Sequence, residues 1–177
     1  MDTATFIRTH PVFSLSEAAR NLIPSHGRRA ALERLKYQIE RGRVKAVARE
    51  IYAAVPPGVK AASFQPDRYL AAVAVRPDGI LSHHAALELL GAAHSDWKVC
   101  TVLTARRRAP LRLGSVRVDF LLHPSALRRK RLETLGTREV DRGGRGLRVT
   151  GPERTLLDGF RQSARTGGLE ELVESAA

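Results

Sequence analysis

The amino-acid sequence predicts an α+β protein built from two domains. Its 177 residues suffice for one ordinary domain or two small ones with a buried core. Two helical patterns and a hairpin pattern occupy the first third of the chain, whereas strands and helices mix in the remainder. The sequence Pro56-Pro57-Gly58 ends the first set of patterns. We therefore predict one domain over residues 1–58 and a mixed α/β domain over residues 62–177.

Two short helices around a tight turn are predicted in the first domain. Ser14 and Glu17 stand three residues apart, the spacing of a capping box that begins a helix. Ser25 is positioned to cap a second helix, which ends at Gly42. A helix pair of this kind is typical of a helix-turn-helix.

The second predicted helix has one apolar and one polar face. Leu32, Leu35 and Ile39, with Ala31 beside them, recur at helical spacing and are expected to be buried. Arg28 lies close enough to the helix start to point outward. The opposite side presents Arg29, Ala30, Glu33, Arg34, Tyr37 and Arg41.

A short β-hairpin, or wing, is predicted over residues 43–55. Arg43, Lys45 and Arg49 share strand parity, so we expect them to project from one side and to lie along a phosphate backbone. The first domain is therefore predicted to be a winged helix-turn-helix that binds DNA. The predicted DNA-binding residues are Ser25, Arg28, Arg29, Arg34, Tyr37, Arg41, Arg43, Lys45 and Arg49.

The charge of the chain favours a polyanionic partner. Thirty Lys and Arg residues face 18 Asp and Glu residues, which gives a formal net charge of +12. Eight of the basic residues lie between Arg28 and Arg49, where the acidic residues are Glu33 and Glu40. A solvated helix face is the alternative explanation of such a run. A helix-turn-helix can also be a protein–protein module, and the basic wing argues against that alternative.

Cysteine content and hydropathy favour a cytoplasmic location. The single cysteine, Cys100, excludes an internal disulfide and any zinc site that needs two thiolates, and it suits a reducing compartment. The N-terminal residues lack the pattern of a signal peptide. No apolar run reaches the length of a membrane helix.

Five segments of the chain carry a resemblance to a known family. In the first domain they are residues 13–19, 39–44 and 51–53. The second domain contributes the strand-then-helix block of residues 79–91 and the late helix start of residues 149–158, which contains Pro-Glu-Arg-Thr. In this order they resemble the AbiEi-family antitoxins.

Three features depart from the family pattern. Glu50 stands where the family usually has glycine at the wing turn, and Gly151 replaces a residue that is often serine. Residues 169–177 form an amphipathic helix pattern without a stop signal. Because family members often continue further, we expect either a second domain that is truncated at this end or a family member without the terminal helices.

The resemblance implies a type IV antitoxin with no cofactor. Such a protein binds repeats in its own promoter as double-stranded DNA and represses its own operon. It counteracts a nucleotidyltransferase-like toxin encoded beside it, with or without direct contact. The second domain would carry the antitoxin activity and support cooperative self-association on DNA.

A metal-dependent nuclease is the first alternative. The second domain of the family has been likened to endonuclease folds, and Asp119 ends a predicted strand as a nuclease carboxylate does. Metal-dependent nucleases need at least a second carboxylate to hold Mg²⁺, and the residues after Asp119 do not supply it. We therefore predict no catalytic residue, and we expect Asp119 to pair with an arginine.

Metal binding and RNA binding are further alternatives. His83 and His84 are adjacent, with His94 and His123 further on, but neighbouring helical side chains point about 100° apart and do not chelate one ion together. We predict no metal, and an ordinary helix capped by Ser82. An RNA-binding module is disfavoured because only 5% of residues are aromatic, which leaves few rings for base stacking.

Three other polar groups in the second domain have structural explanations. The basic clusters of residues 106–108 and 128–131 are predicted to lie in solvated loops, with contacts to flanking phosphates or a neighbouring protomer as the alternative. The glycine-rich segment 143–146 is predicted to be a turn between strands. Arg154 and Asp158, four residues apart, are predicted to stabilise the helix that begins at Pro152.

Overall fold

The structure is a computed structural model that describes residues 2–22 and 27–176. It is an α+β protein, as the sequence predicts, and it divides into two compact units, Met1–Val75 and Arg76–Ala177. Each unit has its own β-sheet.

The first unit combines four helices with a three-stranded antiparallel sheet in the described residues. Its strands lie in the order β1-β3-β2. The elements are α1 (Thr3–Thr9), β1 (Val12–Ser14), α2 (Leu15–Leu22), α3 (Gly27–Glu40), β2 (Val44–Ala48), β3 (Ile51–Ala54) and α4 (Arg68–Val75). Helix α4 packs against β1 and β3. The compact unit therefore extends beyond the boundary at residues 58–62 that the sequence predicts.

The predicted capping box begins α2. The Ser14 backbone N–H donates to Glu17 Oε2 at 2.8 Å, and the Glu17 backbone N–H donates to Ser14 Oγ at 3.1 Å. These reciprocal bonds satisfy donors that a helix start leaves unpaired. The predicted cap of the next helix, Ser25, lies outside the described residues.

Helix α3 faces the core with a different stripe from the one predicted. Its buried residues are Ala31, Leu35 and Gln38, which follow the helical spacing of four and then three residues. Ile39 was predicted to be buried, and that prediction is wrong, since its side chain is 36% exposed. Leu32 is half-buried at the edge of the core. Gln38 is part of the buried stripe because the orientation of α3 against the core, in addition to the hydrophobicity of its residues, determines which face is buried.

An aromatic cluster fills the core of the first unit. The rings of Phe6 and Phe13 meet edge to face with centroids 4.9 Å apart, and Phe13 stacks with Tyr52 at 6.0 Å. Phe6 and Phe13 are fully buried. These contacts join α1, β1 and β3, so the hairpin is attached to the helices through side chains from three elements.

Glu50 adopts a left-handed conformation at the hairpin turn, with φ of +63°. This region favours glycine and is costly for other residues. Two contacts hold the residue there: its carboxylate forms an ion pair with Arg28, and its backbone carbonyl accepts a hydrogen bond from the Leu15 N–H at 2.8 Å. The turn therefore ties the hairpin to α2 and α3.

We expect Glu50→Gly to leave the protein more stable than Glu50→Ala. Both changes remove the ion pair with Arg28, but only glycine also relieves the backbone strain at φ of +63°. Urea unfolding of the full chain, followed by circular dichroism, measures the order of the two variants. An alanine variant as stable as the glycine variant would show that the turn carries no strain.

The second unit is built on a six-stranded mixed sheet in the order β6-β7-β5-β4-β9-β8. Strand β5 is parallel to β7, strand β4 is parallel to β9, and the other neighbours are antiparallel. The strands are β4 (Ile80–Ser82), β5 (Val99–Thr104), β6 (Leu111–Leu113), β7 (Val116–Leu122), β8 (Thr137–Arg142) and β9 (Arg145–Thr150). The helices are α5 (His84–Leu90), α6 (Ser125–Lys130), α7 (Pro152–Arg161), a 3-10 helix (Ser163–Arg165) and α8 (Leu169–Glu174).

Several predicted elements of the second unit are confirmed. Strand β7 contains Asp119, where a strand is predicted, and α7 begins at Pro152 as predicted. Gly143 and Gly144, both with positive φ, form the turn between β8 and β9. This geometry is that of a two-residue hairpin, which requires residues that tolerate positive φ.

Two local predictions for the second unit are wrong. Residues 128–130 lie in the last turn of α6 and Arg131 is its left-handed C-cap, so this basic cluster is helical rather than a loop. Cations favour the carboxyl end of a helix because of its dipole. Ser82 ends β4, and the residue that precedes α5 is His83, whose side chain makes no capping hydrogen bond.

Candidate nucleic-acid interface

The exposed face of α3 carries two uncommitted arginines. Arg29 and Arg34 are exposed, and neither side chain forms a hydrogen bond or ion pair with the described part of the chain. The buried stripe of the same helix points toward the core. A helix that is packed on one side and arginine-rich on the other can enter a groove of duplex DNA, where guanidinium groups reach base edges and phosphates.

Tyr37 and Arg41 form a pair near the end of α3. The Arg41 guanidinium lies 4.8 Å from the centre of the Tyr37 ring, and the Tyr37 side chain is 49% exposed. A cation over an aromatic face is favourable and limits the motion of both side chains. The structure thus brings together two of the predicted DNA-binding residues as one surface feature.

Arg28 is committed to contacts within the first unit. Its guanidinium forms an ion pair with Glu50 and donates to Ser16 Oγ at 3.1 Å. The hydrogen bond and charge of Glu50 raise the pKa of Arg28, and the same pair lowers the pKa of Glu50. Arg28 therefore joins α3 to α2 and to the hairpin turn, a role that sequence reasoning missed because Glu50 is distant along the chain.

The hairpin presents its cations differently from the prediction. A bulge between Ala46 and Ala48 shifts the register of β2 against β3, so the strand parity of Lys45 does not extend to Arg49. Lys45 Nζ donates to the backbone carbonyls of Phe64 at 2.6 Å and Ala62 at 3.3 Å. Lys45 thus anchors the segment that follows the hairpin and is not a free cation.

Arg43 and Arg49 are the exposed cations of the hairpin. Arg43 directly precedes β2 and Arg49 lies in the turn, and neither has an ion pair with a residue that the structure describes. Together with Arg29 and Arg34 they form the candidate interface, which we call the arginine surface. Of the other predicted residues, Tyr37 and Arg41 contact each other, Arg28 and Lys45 are held by contacts within the first unit, and Ser25 is outside the described residues.

Asp119 in the second unit is held by two arginines. Its Oδ1 lies 2.6 Å from Arg117 Nε, and its Oδ2 lies 3.2 Å from Arg165 Nη1. Both carboxylate oxygens are therefore engaged by cations, as the ion-pair explanation of this residue predicts. In residues 2–22 and 27–176, no three His, Cys, Asp or Glu side chains converge as metal ligands would.

The adjacent histidines of the second unit have separate surroundings. His84 is fully buried, with Nδ1 3.4 Å from Glu88 Oε1 and Nε2 3.5 Å from Glu171 Oε1. Glu171 Oε1 also accepts the backbone N–H of His94 at 2.8 Å. Glu171 thus connects α8 with the loop after α5, which no local sequence signal indicated.

His83 is buried in a strained conformation. Its φ is 56° and its ψ is −133°, a combination that glycine adopts readily and other residues rarely do. Burial, with the charges of Arg165 and Arg154, lowers the pKa of His83 to about 4. The imidazole is therefore neutral near pH 7, and its Nδ1 lies 2.9 Å from Ser82 Oγ.

We expect the second unit to lose stability as the pH falls from about 6.5 to about 4. In that pH window the unfolded chain takes up a proton on His83 while the folded chain does not, so acid favours unfolding. A pKa shift of this size lowers the free energy of unfolding by about 3 kcal/mol at most. Urea unfolding at several pH values, followed by the fluorescence of the single tryptophan, Trp97, measures this slope. In His83→Asn, whose side chain does not titrate, the slope should be shallower. Equal slopes would contradict the assignment to His83.

Arg154 of the Pro-Glu-Arg-Thr segment is a buried structural residue. Its Nη1 donates to the backbone carbonyls of Glu133 and Leu135, both at 2.6 Å, and its Nε lies 3.5 Å from Asp158 Oδ2. The predicted pairing of Arg154 with Asp158 is thus present. The larger role, holding the segment before β8, comes from chain-distant contacts that the sequence did not reveal.

The fold and the candidate interface define the class of the protein: two α+β units, one with an arginine-bearing helix and hairpin and one with a six-stranded mixed sheet. The family model of the AbiEi antitoxin C-terminal domain matches residues 78–177. The chain belongs to this antitoxin family, as the sequence resemblance indicates. No curated protein matches the chain. Among the described helices, none is long and apolar enough to cross a membrane.

Proposed function

We propose that the protein is a type IV antitoxin that represses its own operon through the first unit. In this proposal the first unit is a winged helix-turn-helix that binds promoter repeats as double-stranded DNA. The second unit counteracts a nucleotidyltransferase-like toxin. The observation that carries the DNA-binding part is the arginine surface, where α3 and the hairpin present four guanidinium groups that have no ion pair with the described residues.

The chemistry of this surface suits a duplex. Helix α3 spans Gly27–Glu40 with its Ala31, Leu35 and Gln38 side inward, so Arg29 and Arg34 are available to the major groove, which admits one helix. Arg43 and Arg49, at the start and turn of the hairpin, would contact phosphates beside it. The Arg28–Glu50 pair would fix the angle between helix and hairpin.

Fluorescence anisotropy with the duplex upstream of the gene tests the DNA-binding part. We expect tighter binding than to a scrambled duplex, and a log–log salt dependence with a slope of about −0.9 for each phosphate neutralised. Structured RNA, added as competitor, should displace the duplex poorly. Equal affinity for both duplexes and for RNA would contradict promoter recognition.

Growth measurements test the antitoxin part separately. The chain is co-expressed with the product of the adjacent gene, provided that this gene encodes a nucleotidyltransferase. We expect the chain to restore growth that the toxin arrests, and Arg29→Ala with Arg34→Ala to retain this effect when expression comes from an unrelated promoter. Failure to restore growth at equal expression would contradict the antitoxin function while leaving DNA binding intact.

A further inference from the structure

The second unit contains a pocket with one apolar and one polar wall, and nothing in the proposed function uses it. Its volume is about 250 Å³, and it lies between the end of α7 with the following 3-10 helix and the strands β5 and β7. The apolar wall includes Leu103 and Leu121. The polar wall includes His83, Asp158, Arg161 and Arg165.

Backbone strain coincides with this pocket. His83, which lines it, has φ of 56° and ψ of −133° although it is not glycine. Such strain costs free energy and tends to persist where a side chain must be held for function. The Nδ1 atom of His83 contacts Ser82, while Nε2 has no hydrogen-bond partner among the described residues. The pocket therefore contains a neutral imidazole with one nitrogen available to a ligand.

Asp158 is a buried carboxylate that the protein satisfies incompletely. Its side chain lines the pocket and is only 10% exposed. Its Oδ2 receives no hydrogen bond from the described residues, and its nearest cation, Arg154 Nε, is 3.5 Å away. Buried carboxylate oxygens normally accept hydrogen bonds, since leaving one unpaired is costly. Oδ2 itself is enclosed by the protein, so a ligand donor would reach the carboxylate through Oδ1, which also has no hydrogen-bond partner among the described residues.

The two arginines of the polar wall differ in whether a carboxylate binds them. Arg165 donates to Asp119 Oδ2 at 3.2 Å, so its guanidinium is already bound by a carboxylate, which it shares with Arg117. Arg161 is exposed and has no ion pair in the part of the chain that the structure describes. The pocket thus offers one free guanidinium at its rim, which suits a phosphate or carboxylate group.

Size and polarity together restrict the ligand. A volume of about 250 Å³ corresponds to roughly eight water molecules at about 30 Å³ each, more than an inorganic anion fills. The leucines offer a surface for a ring, Asp158 and His83 offer hydrogen bonds to its edge, and Arg161 offers an anion site. We propose that this pocket binds a nucleoside monophosphate, with its base against Leu103 and Leu121 and its phosphate on Arg161.

Titration calorimetry on the full chain tests the proposal with the four common ribonucleoside monophosphates, the corresponding nucleosides and inorganic phosphate. We expect at least one monophosphate to bind more tightly than its nucleoside and than phosphate. Binding of inorganic phosphate as tight as that of every monophosphate would reduce the site to an anion site and overturn the proposal. The absence of any binding would overturn it as well.

Two arginine variants separate a specific site from general attraction to a basic protein. Arg161→Gln should weaken the monophosphate by about tenfold or more, equivalent to about 1.4 kcal/mol. The control is Arg129→Gln on α6, which removes another exposed charge that does not line the pocket and should leave the affinity nearly unchanged. Equal weakening by both variants would contradict the site.

Two further measurements test the role of Asp158 in the pocket and distinguish a failure of the pocket from a failure of duplex binding. Asp158→Asn should alter the preference among the four bases, because it replaces an acceptor-only group with an amide that also donates. Binding of the upstream duplex should be the same for Arg161→Gln and the parent chain. A pocket that fails while duplex binding persists would refute this inference alone, and loss of duplex binding with an intact pocket would refute the proposed function alone.

Discussion

Replacing Arg29 and Arg34 together by alanine is expected to remove the preference of the protein for its upstream duplex over a scrambled one. Both side chains are exposed on α3 and uncommitted within the described chain, and an arginine that reaches a base edge contributes about 1–3 kcal/mol of discrimination. With two such arginines replaced, the loss should be about thirtyfold or more in affinity for the upstream duplex. Affinity for the scrambled duplex should fall much less.

A matched control separates position from charge. Arg8 on α1 and Arg129 on α6 are also exposed and lie outside α3 and the hairpin, so Arg8→Ala with Arg129→Ala removes the same number of charges. This control should lower both affinities slightly and leave their ratio unchanged. Fluorescence anisotropy at a series of salt concentrations gives both quantities. A control as damaging as Arg29→Ala with Arg34→Ala would mean that net charge, and not the face of α3, determines binding.

The hairpin arginines should behave differently. Replacing Arg43 and Arg49 is expected to weaken all duplexes about equally and to reduce the salt slope by about 0.9 for each phosphate that the variant no longer neutralises. Lys45 does not belong to this comparison, because its ammonium group bonds to the carbonyls of Ala62 and Phe64. Replacing Lys45 would disturb the segment after the hairpin, and this structural change would be mixed with the loss of a phosphate contact.

The second large effect is expected in stability. Arg154→Ala should lower the free energy of unfolding of the second unit by about 3–5 kcal/mol, the usual cost of leaving one half of a buried charged arrangement unpaired. The variant would remove the hydrogen-bond donor of the Glu133 and Leu135 backbone carbonyls and the cation that lies nearest to Asp158. Urea unfolding followed by Trp97 fluorescence measures the change, since the only tryptophan lies in this unit.

The same helix supplies the control for this prediction. Arg161→Ala removes an exposed arginine from α7 and should change the free energy of unfolding by no more than about 0.5 kcal/mol. Arg154→Lys should be intermediate, because one ammonium group cannot reproduce the planar donor arrangement of a guanidinium. An Arg154→Ala variant as stable as Arg161→Ala would show that the buried contacts contribute nothing.

A double variant identifies the source of the loss. Burial raises the pKa of Asp158, which shows that its environment already disfavours the charged form. Without Arg154 the carboxylate would be more isolated, so adding Asp158→Asn to Arg154→Ala should restore part of the lost stability. A coupling of about 0.5–3 kcal/mol is expected for contacting residues. Strict additivity would mean that the two side chains do not interact.

Local signals in the sequence predicted their elements correctly. The Ser14–Glu17 capping box, the Gly143-Gly144 turn and the helix start at Pro152 all form as expected. In each case the deciding interactions join residues a few positions apart, or depend on the backbone freedom of one residue type. Such signals can be recognised in the sequence without knowing which part of the protein packs against the segment.

Predictions of which helix face is buried and of which surroundings a charged side chain has were less reliable. The buried stripe of α3 passes through Gln38 and not Ile39, because the core approaches the helix from a direction that its own sequence does not encode. The bulge in β2 broke the parity that grouped Lys45 with Arg49. The basic cluster of residues 128–131 lies at a helix end because α6 forms there, although its composition is also typical of a solvated loop.

By itself, the sequence determined that the chain is a basic α+β protein of the AbiEi antitoxin family, since charge, capping motifs and segment order are properties of the residues and their neighbours. Only the tertiary structure decided which cations are free. Glu50 holds Arg28, and the carbonyls of Ala62 and Phe64 hold Lys45, whereas the arginine surface has no ion pair within residues 2–22 and 27–176. The physical reason is that an ion pair or a buried hydrogen bond depends on distance in space, and folding brings together residues that lie far apart along the chain.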